Sequence, residues 1–189
     1  MNRLAVSSAV AVALSLCGCD ARKDFSGAYQ VSGVLTLTSG GREDKTDLKD
    51  LPLVIIADAF ESDRLYLDFD CGLSAKMKAG EDGASFALDT KVCPTYTRDS
   101  CNFTWVFFSG VGSLEGDASL DFNPNGAITV KCSDGASGVA NFKFRLSGVR
   151  SSGSGEAPSV PGAQSGDARS RQLSALRAAV MESVRSQLQ

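Results

Sequence analysis

Apolar residues recur at every second position in short segments from Phe25 to Arg150, and this period of two constrains the fold more than any other feature of the chain. Successive side chains of a strand point to opposite faces, so such a segment buries one face and wets the other. Tyr29, Val31, Leu35 and Leu37 alternate with Gln30, Ser32, Thr36 and Thr38. Leu65, Leu67, Phe69, Cys71, Leu73, Ala75, Met77 and Ala79 all fall on odd positions, with Gly72 expected at a bend or bulge. The same alternation returns in Phe86-Leu88, Phe103-Trp105-Phe107, Leu120-Phe122, Ile128-Val130-Cys132 and Phe142-Phe144-Leu146. Leu51 to Ile56 is a continuous apolar run, which predicts a strand buried on both faces. About eight or nine antiparallel strands with no helix between them follow, an all-β meander closed into a barrel in preference to a β-sandwich. A domain over residues 25–150 is long enough to bury one core.

The segment before this domain reads differently. Met1 to Arg3 give a positive start, and Leu4 to Leu16 form an apolar run too short to span a bilayer but of signal-peptide size. Leu16-Cys17-Gly18-Cys19 then resembles the lipobox of bacterial lipoproteins. That resemblance implies cleavage after Gly18, a diacylglycerol on the Cys19 thiol and a further acyl chain on the new amino group. Cys17 leaves with the signal, because modification there would put bulky Leu16 at the small-residue position. The mature protein is expected to be tethered to a membrane without spanning it, since two or three acyl chains hold far more firmly than one. Asp20 resembles the signal that retains enteric-type lipoproteins at the inner membrane facing the periplasm; otherwise the outer membrane is implied. Residues 19–24 are expected to act as a tether that spans about 18 Å if extended.

Without residues 1–18 the chain has 18 basic and 22 acidic residues, a mild net charge that argues against a nucleic-acid partner. Cys71, Cys93, Cys101 and Cys132 remain besides Cys19, an even set that reads as two disulfides in an exported protein. Cys71 and Cys132 lie on the apolar faces of their strands, and Cys93 and Cys101 bracket the turn-like Pro-Thr-Tyr-Thr-Arg-Asp-Ser. The expected pairs are Cys71 with Cys132 and Cys93 with Cys101.

Composition changes after Arg150. Residues 151–166 are rich in Ser, Gly and Pro and read as a linker of about 20 to 24 Å r.m.s. span. Residues 167–189 carry Leu173, Leu176, Val180, Val184 and Leu188 at helical spacing beside Arg169, Arg171, Arg177 and Arg185. Asp167 or Ser170 could cap this amphipathic helix. It is expected to pack on the barrel, pair with a copy of itself, grip a partner or lie on an anionic membrane.

Few residues point to chemistry. Asp121, Asn123, Asn125 and Gly126 fit the opening of a calcium loop, but its twelfth position is Cys132, and a Pro-Asn-Gly hairpin turn explains the same residues without an ion. No metal and no cofactor is therefore expected. Asp68 and Asp70, about 7 Å apart on one strand face, are the only carboxylate pair suited to acid–base work. Glu61 and Asp63 share that spacing in a segment that looks like a turn. The chain has no His, which removes Ser-His-Asp and Cys-His catalysis. Phe103, Trp105 and Phe107 face one way and Val106 and Phe108 the other, so this strand either fills the core or lines a cavity for a hydrophobic ligand. The opening Phe-Ser-Gly-Ala-Tyr-Gln-Val-Ser-Gly and the stretch from Asp121 to Val130 bear an architectural likeness to lipocalin-like barrels, although Ala28-Tyr29 follow Gly27 where that family has Gly-x-Trp. The leading reading is a non-enzymatic envelope lipoprotein acting as a binding or scaffold module near the membrane surface. Its alternatives are a lipocalin-like carrier or sensor of a hydrophobic ligand and, last, a hydrolase using Asp68 and Asp70.

Overall fold

The computed structural model describes residues 20–78, 84–116 and 119–151, together with Arg177, Met181 and Val184. The expected signal peptide, Cys19, almost all of the linker and, but for those three residues, the expected C-terminal helix lie outside the described residues. A short helix α1 (Ala21–Phe25) leads into β1 (Gly27–Ser39), β2 (Arg42–Ala57), β3 (Arg64–Asp68), β4 (Leu73–Lys78) and β5 (Ser85–Leu88). Two short strands, β6 (Lys91–Val92) and β7 (Tyr96–Arg98), precede the long β8 (Cys101–Glu115), β9 (Ser119–Cys132) and β10 (Ser137–Arg150).

All pairings are antiparallel. The order β5-β4-β3-β2-β1-β10-β9-β8 closes through a β5–β8 pairing into a ring of eight strands, while β6 and β7 pair with β8 beside it. The period of two is what makes the ring possible: Tyr29, Val31, Leu35 and Leu37 of β1 and Phe142, Phe144 and Leu146 of β10 are buried, and Asn141, Lys143 and Arg145 are exposed. Eight aromatic rings meet in the interior, among them Phe69 at the end of β3, edge-on to Phe122 and Phe144 at 5.7 and 5.5 Å.

Several sequence expectations are corrected. Leu51 to Ile56 is buried on one face: Leu51, Leu53 and Ile55 point inward, whereas Ile56 is 47% exposed. Among the described residues no layer covers Ile56 on the outer face of β2, so a continuous apolar run here is still a half-buried strand. Residues 42–50, polar except for the buried Leu48 and without apolar alternation, continue β2 because their backbone pairs with β1. A bulge falls there, with Asp50 at φ 53° and its N–H donating to Ser32 Oγ at 3.0 Å.

The run from Leu65 to Lys78 is a hairpin, β3 to β4, and not one bent strand. Gly72, at φ 74°, donates its N–H to the Phe69 carbonyl at 3.1 Å and closes the turn. The stretch from Asp121 to Gly126 forms neither a hairpin turn nor a calcium loop, since β9 runs straight through it. Pro124 lacks an N–H, and the ladder is irregular around it: β9–β10 pairing skips Phe144 and Arg145, and β8 bulges at Phe108. Gly126 serves close packing, because a Cβ there would strike the Val106 carbonyl and the Phe142 ring.

The disulfides join Cys71 to Cys93 and Cys101 to Cys132, in place of the expected pairs. Cys101 and Cys132 stand opposite each other across β8 and β9. The seven residues after Cys93 do not close a simple loop. Tyr96 to Arg98 fold back onto Cys101 to Phe103, with Asp99 and Ser100 at φ 49° and 66° in the turn. Cys93 is thereby carried along β8 to Trp105, whose carbonyl accepts its N–H at 2.9 Å. The turn holding Cys71 is its neighbour there.

Candidate functional site

The two ends of β3 organise the polar chemistry of the ring. Its first end receives α1 and the residue that caps it. Residues 20–24, part of the expected tether 19–24, carry the cap and the first four residues of the five-residue α1. Asp20 caps α1 by accepting the Arg22 N–H at 3.2 Å, and its carboxylate takes two further bonds from the Arg22 guanidinium at 2.8 Å. That contact holds the Asp20 carboxyl below its ordinary range. Phe25 is fully buried, edge-on to Phe86 at 5.2 Å, and its carbonyl accepts the Tyr29 hydroxyl at 2.9 Å. Arg150 donates to the Asp24 carbonyl and, at 3.1 Å, to the Tyr29 hydroxyl.

Arg22 ties α1 to the β2–β3 loop by donating to the carbonyls of Asp58 and Glu61 at 2.8 and 2.5 Å. The loop is shaped from within. Asp58 accepts the N–H groups of Phe60 and Glu61 at 2.6 and 2.7 Å, an Asx-type turn that also lowers the Asp58 pKa. Glu61 pairs with Arg64 at 2.9 Å. Glu61 and Asp63 thus belong to a turn, as their sequence suggested. Phe60 crowns the loop, 97% exposed.

The second end carries Asp70. It has a left-handed backbone (φ 50°) in the β3–β4 turn, which swings its side chain away from Asp68. The two carboxylates therefore do not share a strand face, and the acid–base pair is not assembled. Asp68 lines an outer groove of about 290 Å³ with Ile56, Tyr66, Ser74 and Lys91. The Asp70 side chain is only 6% exposed and receives Arg177 Nε at 2.5 Å. The Arg177 guanidinium lies 4.0 Å from the Tyr96 ring centre, a cation–π contact. Among the described residues, Asp70 Oδ2 has no hydrogen-bond partner. Val184 is buried in the core at 1% exposure, with Met181 against it. Asp70, Cys71 and Cys93 cluster within 4.8 Å, but the two sulfurs are bonded to each other and offer no thiolate to a metal.

Burial pushes the Asp70 carboxyl up, and Arg177 draws it back only in part. The folded state thus binds this proton more tightly than the unfolded chain. The contribution of Asp70 to stability is largest below the unfolded-state pKa and declines as pH rises through the folded one. Arg177→Met removes the counter-charge and is expected to cost about 2 kcal/mol at neutral pH, below the range for fully buried pairs because Arg177 is 20% exposed. Urea unfolding at two pH values checks this, since the loss should shrink on acidification toward 3.8. A pH-independent loss would contradict it.

Phe103, Trp105 and Phe107 face the interior, where Trp105 and Phe107 both pack on Phe142 at 5.1 and 5.0 Å. Phe108, on the other face, is 51% exposed. Sequence reasoning missed the Arg22 clamp and the Asp70–Arg177 contact. Phe60 left one signal, an aromatic residue outside any alternation and surrounded by turn-forming Asp, Glu and Ser. No helix among the described residues is long and apolar enough to cross a membrane.

No protein-family model matches the chain, and no curated protein matches it. A crystal structure from Bacteroides ovatus, described as a structural-genomics protein of unknown function, is similar at a TM-score of 0.32 and 14% identity, over 66% of this chain. The match spans 41% of that chain. A likeness of this size carries no argument about activity.

Proposed function

We propose that this chain is a non-enzymatic envelope lipoprotein, anchored through lipid on Cys19, whose β domain is an eight-stranded meander barrel acting as a binding or scaffold module against the membrane surface. The observation that carries this reading is the docking of α1. An extended Asp20–Asp24 would let the domain wander about 18 Å from its anchor, whereas a helix advances about 1.5 Å per residue, or roughly 7 Å over the same five residues. Arg22, Asp24 and Phe25 are each tied to the ring or to its loop, and Asp20 is held through Arg22. A lipid one residue earlier would then fix both the distance and the orientation of the domain. An inner-membrane site facing the periplasm follows if Asp20 acts as a retention signal, and the outer membrane otherwise.

The aromatic filling of the ring supports a scaffold ahead of a ligand carrier. The separation of Asp68 from Asp70 counts against the hydrolase. The contacts of Arg177 and Val184 favour a C-terminal segment that returns to its own domain over one that pairs with a copy. Cys19→Ser, expressed with the native signal, is expected to move the protein from the membrane pellet to the soluble envelope fraction, and mass spectrometry of the parent should find a mature start at acylated Cys19. Retention of Cys19→Ser on membranes in high salt, or a mature start elsewhere, would refute the anchor.

A further inference from the structure

Phe60 is the most exposed large apolar side chain in the described part of the domain, at 97%, while the next, Val92, is at 62%. Single exposed apolar residues are common, so exposure alone means little. Its position carries the argument. Arg22 donates to the carbonyls of Asp58 and Glu61, which bracket Phe60, and Asp20 caps the same turn of helix. The Phe60 ring therefore projects from the end of the domain where the chain emerges from Cys19. Asp58 accepts the N–H groups of Phe60 and Glu61, and the Glu61 charge is engaged by Arg64, so the ring can enter an apolar phase without exposing an orphaned N–H of its own or of the next residue.

Resting on the lipid-anchor reading above, we infer that Phe60 is a second membrane contact, an aromatic side chain that inserts at the headgroup–acyl boundary beside the lipid on Cys19 and sets the tilt of the domain. Aromatic residues favour that boundary, and a loop tip held against the anchor reaches it without any conformational change. The occupant is the bilayer itself and not a protein groove, because an acylated Cys19 would hold this end of the domain at the lipid surface continuously. Charge refines the choice of lipid. α1 with its cap and the β2–β3 loop carry Asp20, Asp24, Asp58, Glu61 and Asp63 against Arg22, Lys23, Arg64 and the Arg150 that donates to the Asp24 carbonyl, an excess of one acidic residue. Insertion is accordingly stronger into zwitterionic than into anionic bilayers.

The test uses the full chain, processed in bacteria, purified from membranes and reconstituted into phosphatidylcholine vesicles. Phe60→Trp places a reporter at the tip, and buried Trp105, 2% exposed within the ring, serves as the internal reference. Lipids brominated near the headgroup end of the acyl chain should quench the added emission and leave that of Trp105 unchanged. The added emission should also be blue-shifted and shielded from iodide, and phosphatidylglycerol should reduce the bromine quenching. Mass spectrometry of the same sample reports the state of Cys19. Acylated Cys19 with a tip open to iodide and untouched by bromine overturns the inference while the anchor stands. Bromine quenching of Trp105 equal to that of the tip overturns the orientation and with it the inference. A Cys19 without lipid removes the anchor reading and the inference together.

Discussion

Phe69→Ala is expected to lower the unfolding free energy by about 3 to 5 kcal/mol, a large fraction of what a domain of this size commonly possesses. The side chain is 1% exposed and meets Phe107, Phe122 and Phe144 edge-on at 6.4, 5.7 and 5.5 Å. Those partners stand on β8, β9 and β10, so one ring from the end of β3 links the far wall of the ring of strands to the near one. Truncation removes the transfer free energy of the ring and leaves a hole that three rigid aromatic neighbours cannot readily fill. Phe69→Leu should cost less than half as much, because most of the volume is retained. Urea unfolding followed by far-UV circular dichroism measures both, and m-values unchanged from the parent would show that the denatured state has not shifted. A loss under about 1 kcal/mol for the alanine variant would mean that the aromatic interior is not a packed core. That result would also revive the hydrophobic-ligand reading, which needs interior space.

Phe69 also shows how far the sequence could be read. Its place on an odd position among Leu65, Leu67 and Cys71 was enough to predict an inward side chain, because strand parity is local. The turn after it was not legible. Parity is preserved when a hairpin reverses with the right number of residues, so Leu65 to Met77 looks the same as one long strand or as β3 and β4. Asp70 was lost for that reason, since only the left-handed turn distinguishes an inward Asp70 from one that shares a face with Asp68.

Asp121 to Gly126 failed in the opposite sense. Pro-Asn-Gly is ordinarily turn chemistry, but pairing partners on both sides, a bulge in β8 and a skipped stretch of β10 hold it in a strand. Tertiary pairing overrode local preference. The same is true of residues 42–50, whose backbone bonds to β1 do not need apolar side chains. At the candidate site, Cys19 and Asp20 stand out in the chain only through the lipobox resemblance. The Arg22 clamp and the projection of Phe60 depend on a loop more than thirty residues away and had no local signature.

The four cysteines fall in four different tryptic peptides, so a non-reduced digest is expected to yield Leu65–Lys76 linked to Val92–Arg98, and Asp99–Lys131 linked to Cys132–Lys143. Linkage of Leu65–Lys76 to Cys132–Lys143 would restore the sequence-based pairing and contradict the strand register of β8 and β9. The energetic consequence is the second large effect. Loops of 22 and 31 residues restrict the unfolded chain by about 3.4 and 3.7 kcal/mol at 25 °C in the chain-entropy model, so the two bonds are near equals. Alanine is the apt replacement at buried Cys93 and Cys101, where Ser would add an unpaired hydroxyl. Each double variant, Cys71→Ala with Cys93→Ala or Cys101→Ala with Cys132→Ala, should lose about 2 to 4 kcal/mol. The local effects differ. The first pair holds the β3–β4 turn, and with it Asp70, against the short β6, so its loss should also quicken amide exchange there. The second pair fastens residues already opposed in a long ladder, so its loss should appear as global unfolding with little local loosening. Removing both bonds costs about as much as a typical domain has to lose. The chain produced without its signal in a reducing cytoplasm should then fail to accumulate as folded protein, while the exported chain folds; equal yields of folded protein from the two routes would show that the ring of strands does not depend on its disulfides.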